Sequence, residues 1–260
     1  MILRRQEARR LAALTLLVAG CTGGTSEPAV NQAVPQRVQT TSPVPATPAS
    51  TPIATAAPIA ESATVIEARA AFRVLIEPGS EPAAWETAQQ KLIGWGAEAA
   101  PVLLEGIRSS NPLEREMAAT VCALTGSPSA DLQAALVNCL QDDALFVRAN
   151  AAVALTNIPE HQAQALSTLT NLLTESDPQL RRMAATNLSS FGTEASEQLP
   201  KLTAVLAADD TEVVMPVIQL LGRMGPTAIA AVPELQRIAF EESGEVKQAA
   251  EQALLQIQAQ

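Results

Sequence analysis

The chain has 260 residues, 47% of them hydrophobic but only 2% aromatic, with no Tyr and a single His, and its formal net charge is −10. An acidic surface of this kind repels nucleic acid and anionic headgroups, because phosphate contacts need Lys and Arg to release counterions, so no nucleic-acid partner is expected. One His and three Cys, none at metal-site spacing, leave zinc without its three or four ligands, and neither a metal nor any other cofactor is expected.

At the N-terminus Arg4, Arg5, Arg9 and Arg10 precede the apolar run from Leu11 to Ala19, and Gly20-Cys21 follows. A hydrocarbon core of ~30 Å takes about 20 helical residues to cross, so this run is too short to span and has instead the makeup of a signal peptide. Val18-Ala19-Gly20-Cys21 resembles a bacterial lipobox. That resemblance implies a signal peptide over residues 1–20, lipidation (palmitate-type acylation) at Cys21, and a protein exported and anchored to a membrane by lipid. With Thr22 next to the Cys, it further implies the periplasmic face of an outer membrane or the cell surface. An ordinary signal peptide cut near the same place is the alternative. Loss of residues 1–20, which hold four Arg and one Glu, leaves the remainder near −13.

Residues 21–62 are rich in Pro, Thr, Ser and Ala, including Pro28, Pro35, Pro43, Pro45, Pro48, Pro52 and Pro58. Such a composition excludes a packed core and reads as a disordered tether, with a reach between ~35 Å as a flexible coil and ~125 Å fully extended. In residues 63–81, Val65, Ile66, Ala68, Ala70, Phe72, Val74 and Leu75 predict one helix ending before Pro78-Gly79, suited to cap the first unit of a helical array.

From residue 82 the chain repeats. Leu103, Leu136, Leu169, Leu202 and Leu235 stand 33 residues apart. Arg115, Arg148 and Arg181 share the period, with Val214 and then Lys247 in the next two places. Ala118, Ala151, Ala184, Val217 and Ala250 follow three residues on, and Cys122, Leu155, Leu188, Leu221 and Leu254 four further. The 3-then-4 spacing is helical, and a second apolar set in each unit, such as Leu202, Val205 and Leu206, makes every unit a pair of amphipathic helices, A then B. Gly96, Gly126, Pro159, Gly192 and Gly225 mark the ends of the A helices. Asn111, Asp177, Asp210 and Ser243, with Asp143 displaced by one, are placed to cap the next A helix, and Pro112 and Pro178 take its first position. Pro216 inside one A helix predicts a kink.

Phe146-Val147-Arg148 followed by Ala151-Ala152 and Leu155, Leu180-Arg181 followed by Ala184-Ala185 and Leu188, and Gly96-Ala97-Glu98-Ala99-Ala100-Pro101 resemble the short HEAT-like repeats of the phycobilisome lyase type. The resemblance covers roughly residues 82–257. It implies an all-α fold, a right-handed α-α superhelix of about five hairpins plus a terminal half repeat over residues 82–260. It also implies that the Arg column of Arg115, Arg148 and Arg181, continued by Lys247, forms a structural ladder with the Asp that caps a neighbouring unit. The other reading of that column is recognition of an anionic ligand.

No motif for chemistry is present. His161 opens a B helix without a Ser elbow or phosphate loop near it, and the paired carboxylates Asp142-Asp143 and Asp209-Asp210 fall at repeat boundaries. Catalytic residues are therefore not assigned, and the chain is expected not to be an enzyme. Cys122 and Cys139 occupy core columns with an axial offset of roughly 10 Å, beyond the ~7 Å between Cα atoms that a disulfide spans, and are expected as two buried thiols. Trp85 and Trp95 read as packing for the N-terminal cap, or as a stacking platform. The B-helix stripe of Glu105, Asn138, Asn171, Ala204 and Arg237, with Arg108, Gln141, Thr174, Ala207 and Phe240 alongside, is the candidate partner-binding surface on the concave side. The leading function is a lipid-anchored scaffold for a protein or peptide at the bacterial cell envelope. The alternatives are a lyase-like enzyme subunit or chaperone-like adaptor, and a passive envelope spacer.

Overall fold

The computed structural model describes residues 61–126 and 128–259. The signal peptide, Cys21 and nearly all of the tether lie outside these. Among the described residues every regular element is a helix: α1 (Ala63–Ile76), α2 (Pro82–Trp95), α3 (Ala100–Ile107), α4 (Pro112–Thr125), α5 (Ala130–Cys139), α6 (Leu145–Leu155), α7 (Pro159–Leu172), α8 (Pro178–Leu188), α9 (Leu199–Val205), α10 (Thr211–Met224), α11 (Val232–Glu241) and α12 (Gly244–Gln258). Helices α2 to α11 form five A–B hairpins, and α12 is a sixth A helix. Helix α1 packs on α2, α3 and α4, and its Arg69 reaches Glu105 on α3, so it lies in the B layer as half a unit. The array thus begins with a lone B helix and closes with a lone A helix, an α-α superhelix with one continuous core.

The two layers pack differently. Ala118, Ala119, Ala151, Ala152, Ala184 and Ala185 have no exposed surface, and side chains this small let successive A helices approach closely; every consecutive A pair is in close contact. In the B layer α1 with α3, α3 with α5 and α7 with α9 make such contact, whereas α5 with α7 and α9 with α11 stand further apart. The Leu column, Leu103, Leu136, Leu169, Leu202 and Leu235, is buried between the layers, none of the five more than 1% exposed. On α12 the outward face carries exposed Gln248, Glu251 and Gln252 where α6 buries Ala149, Ala152 and Val153, and a polar outer face of this kind suits a capping helix.

Turns follow from a few residues. Gly96, Gly126 and Gly225 hold φ between +51° and +71°, a region that a Cβ penalises, and each ends an A helix. Two expectations for this column need correction. Gly192 has φ −138°, and Pro159 starts α7 rather than closing α6, because its fixed φ and missing N–H suit a first turn. In the first, fourth and fifth units a 3-10 turn precedes the B helix, over Gly96–Ala99, Thr193–Gln198 and Gly225–Ala231, and each buries alanine completely: Ala99 in the first, Ala195 in the second, Ala228 and Ala231 in the third. Asn111 and Asp177 cap α4 and α8 through their side chains, accepting from Leu113 N at 3.0 Å and Gln179 N at 2.8 Å. Ahead of α6 neither Asp142 nor Asp143 caps the first turn: Ala144 is the N-cap, without a side-chain bond, and it is Asp142, not Asp143, that holds the turn before it, its Oδ1 accepting from Ala144 N at 2.9 Å. Asp210 and Ser243 hold the N-cap positions without a side-chain bond to the first turn. Helix α10 continues through Pro216, which falls early enough that the carbonyl deprived of a partner belongs to solvent-exposed Glu212.

Candidate functional site: the B-helix face and its arginine ladder

The fourth residue of every A helix from α4 on is the repeat's Arg column: Arg115, Arg148, Arg181, Val214, Lys247. From there the side chain reaches the loop before its own helix. Arg115 Nη1 donates to Ser109 O and Ser110 O, both at 3.1 Å, and Arg181 Nη1 to Glu175 O and Ser176 O at 2.9 and 3.1 Å. Arg148 Nη1 donates to Asp142 O at 3.2 Å. The rest of the guanidinium turns to the next loop. Arg115 meets both oxygens of Asp142 at 2.6 and 2.8 Å, and Arg181 grips Asp210 Oδ2 with two nitrogens at 2.6 and 3.0 Å.

Two rungs differ from expectation. Arg148 has Glu175 at 3.8 Å instead of the capping Asp177, whose carboxylate is taken by its own helix. Lys247 has no following loop among the described residues and lies 4.0 Å from Glu251, one turn along α12. The Arg115 hydrogen bonds hold the Asp142 carboxyl below its ordinary pKa, against a smaller upward push from burial, and Asp142 in turn raises Arg115. Bidentate pairs half withdrawn from water carry more than exposed ones, which contribute ~0–1 kcal/mol.

The predicted stripe is exposed along its whole length: Glu105, Arg108, Asn138, Gln141, Asn171, Thr174, Ala204, Ala207, Arg237 and Phe240 all face solvent. Several members are already engaged. Arg69 of α1 bridges Glu61 and Glu105, at 2.6 Å to the first and at 2.8 and 3.0 Å to the second, so α1 occupies the first position of the stripe. Asn171 Oδ1 accepts from Lys201 Nζ at 2.6 Å. Arg237 pairs with Glu234 at 2.6 Å and with Glu241 on its own helix, which raises its pKa. Phe240 stands apart, 88% exposed, a large aromatic surface with nothing over it.

The sequence offered no sign of a groove between α7 and α9, about 1090 Å³ in volume, that includes Asn171, Thr174 and Ala204 of the stripe. Its only precursor in the residues is the 3-10 stretch before α9, which leaves that B helix short. A second groove of about 690 Å³ lies between α1 and α2 and is lined by alanines, Lys91 and half-buried Trp95, while Trp85 is buried in the core. His161 sits on the first turn of α7, its N–H donating to Ile158 O at 2.9 Å. Cys122 and Cys139 are free and buried, and burial pushes their thiols up to about 12 and about 11. Among the described residues no three His, Cys, Asp or Glu side chains are grouped to hold a metal.

The HEAT repeats pattern matches residues 100–185 and again 166–255, more than half of the chain. The chain belongs to the HEAT-repeat family. No curated protein matches this HEAT-repeat chain. Among solved structures it is similar to an engineered protein at 22% identity and TM-score 0.51, over 74% of this chain and 97% of the other. It is also similar to a designed armadillo repeat protein in complex with the peptide (KR)4, at 20% identity and TM-score 0.53, over 74% and 99%. At these identities the likeness shows the fold alone, a helical solenoid.

Proposed function

We propose that the chain is a non-catalytic, lipid-anchored interaction scaffold at the bacterial cell envelope, holding a protein or peptide along its B-helix face. The observation that carries this reading is the uninterrupted exposure of the stripe from Asn138 and Gln141, through the α7–α9 groove, to Phe240. Everything else that recurs in each unit is spent on the core or on the Arg ladder. A designed repeat protein of similar fold is solved with a peptide bound, which supports a solenoid surface as a peptide platform. The anchor rests on the sequence around Cys21, where two acyl chains would supply the stable membrane attachment that one cannot.

The test is cross-linking from a photoreactive residue at Gln141 in membranes of the native host. One stoichiometric partner, lost with Phe240→Ala, supports the scaffold; indiscriminate labelling, or none, leaves a passive spacer. The anchor is checked by thiol counting on denatured protein recovered from membranes. Of the three Cys, two react if Cys21 is a thioether and three if it is not.

A further inference from the structure

Each end of the array is half a unit. Among the described residues α1 is a B helix with no A helix before it, and α12 is an A helix with no B helix after it. Between α1 and α2 runs the groove of about 690 Å³, with Ala70 and Val74 on one wall and Ala84, Thr87, Ala88 and Lys91 on the other. Pro82 and Pro112 open their helices and Gly96 and Gly126 close them, which aligns α2 with α4 and, one 33-residue period further, with α6. The α2 wall then corresponds to Val147, Asn150, Ala151 and Ala154, none more than 5% exposed, on a helix that packs against the A helix before it. On α2 the counterparts Ala84, Thr87 and Lys91 are exposed. The groove is therefore a seat shaped for an A helix. At the other end Leu254 is half-buried, where Leu155, Leu188 and Leu221 of its column have no exposed surface. The exposed large hydrophobics among the described residues are Ile66, Ile229, Phe240 and Leu255. All four lie in α1 or beyond α10, and none in the units between.

The arginine ladder is open at the same two ends. Arg181 of one A helix grips Asp210 at the N-cap of the next. Lys247 holds the Arg position on α12 with no next helix to reach, and exposed Glu81 holds the N-cap of α2 without a side-chain bond to its first turn. We infer that copies of the chain stack head to tail: α12 of one enters the α1–α2 groove of the next, and the lone A and lone B helices complete one unit across the junction. Lys247 then meets Glu81 as Arg181 meets Asp210. In the register of neighbouring A helices, Glu251 stands within a turn of Lys91 and Leu255 within a turn of Trp95. The junction thus matches charge with opposite charge and apolar surface with apolar surface. Gln248, Glu251 and Gln252 keep it hydrophilic, and a net charge of −10 on each copy opposes it, so it forms reversibly and at high local concentration. The contact is heterologous: each stack keeps a free groove at one tip and a free α12 at the other, and extends unless rotation closes it into a ring.

Sedimentation velocity on the full-length chain in detergent reads the association. The weight-average mass should rise at least about two-fold between ~10 µM and ~500 µM. Ala84→Arg blocks the groove and Leu255→Arg blocks the helix that enters it, both at exposed positions. In the same micelles each variant alone should keep its helical circular dichroism and hold a constant mass over that range. Mixed in equal amounts, the two should form dimers and nothing larger, because each retains one working end. Thr87→Arg and Gln252→Arg take their places if either unfolds. A parent chain of constant mass would overturn the inference, as it would be if another segment of the same chain filled the groove. Association that survives both substitutions would overturn it too, and so would a mixture no heavier than its parts. None of these outcomes depends on what the B-helix face holds, which cross-linking through Gln141 reads separately.

Discussion

Replacing Gly106 by Ala tests how the first half unit is fastened. A Cβ at Gly106 would stand 2.7 Å from Phe72 Cζ on α1 and 2.9 Å from Ala118 Cβ on α4, against a normal carbon contact of ~3.5–4.0 Å. Something must retreat by about 1 Å. Ala118 belongs to the tightly packed A layer and has no exposed surface, so the movement falls on Phe72 and on the helix that carries it. Overpacking of this kind costs about 1–3 kcal/mol, offset by about 1 kcal/mol for the better helix propensity of Ala. The net expectation is a loss of up to about 2 kcal/mol, or up to ~8 °C in melting midpoint for a domain of this size. Hydrogen exchange should localise the effect, with protection falling in residues 63–76 and holding in α4 to α10. In a Phe72→Leu background, which removes the ring carbon nearest Gly106, the same substitution should cost roughly 1–2 kcal/mol less. Equal effects in the two backgrounds, or a loss of protection spread evenly over the array, would refute the account of α1 as a helix locked onto α3 by that contact.

Leu169→Ala, at a site with no exposed surface in the middle of the stack, should cost about 2–5 kcal/mol in chemical denaturation and split the transition in two, because each unit is stabilised only by its neighbours. Ala152→Leu should destabilise by about 1–3 kcal/mol, since the closely packed A layer has no room for the larger side chain; a neutral result would show that the A layer is loose. The Asp142 pKa is depressed in the folded state, so its contribution is fully present above the unfolded value of ~3.9 and is lost as pH falls through the folded value. Asp142→Asn should therefore lower stability at pH 7 and flatten its decline below about pH 4, read from midpoints across an acid series. With thiol pKa values of about 12 and about 11, Cys122 and Cys139 should resist iodoacetamide at pH 8 in the native state and react on unfolding; rapid native labelling would place them at the surface.

The hairpins were legible because the period and the 3-then-4 spacing survive in every unit, and the Leu column lies where that spacing puts it, between the layers. The local chemistry was legible only where one residue decides it, as at Asn111 and Asp177. Between Asp142 and Asp143 two identical side chains compete, and the choice depends on where Arg115, 27 residues earlier, reaches across. The same limit applies to Glu105: its partner Arg69 lies 36 residues away in a helix that the sequence marked as a cap without saying on which layer it would lie. The groove between α7 and α9 was invisible for a further reason. It lies at the C-terminal ends of two helices that are in contact, beside the loops that follow them, and periodicity reports what recurs, not the space left between neighbouring loops.

The unequal packing of the two layers gives the array a mechanical bias. With alanines holding the A helices together along one side, that side acts as a spine of nearly fixed length, and bending takes place about it. Pulling on the two ends should then change the gaps among the B helices more than the spacing of the A helices. A molecule stretched along those gaps would feel the curvature of the whole array, and by holding them at one width it would stiffen the array in return.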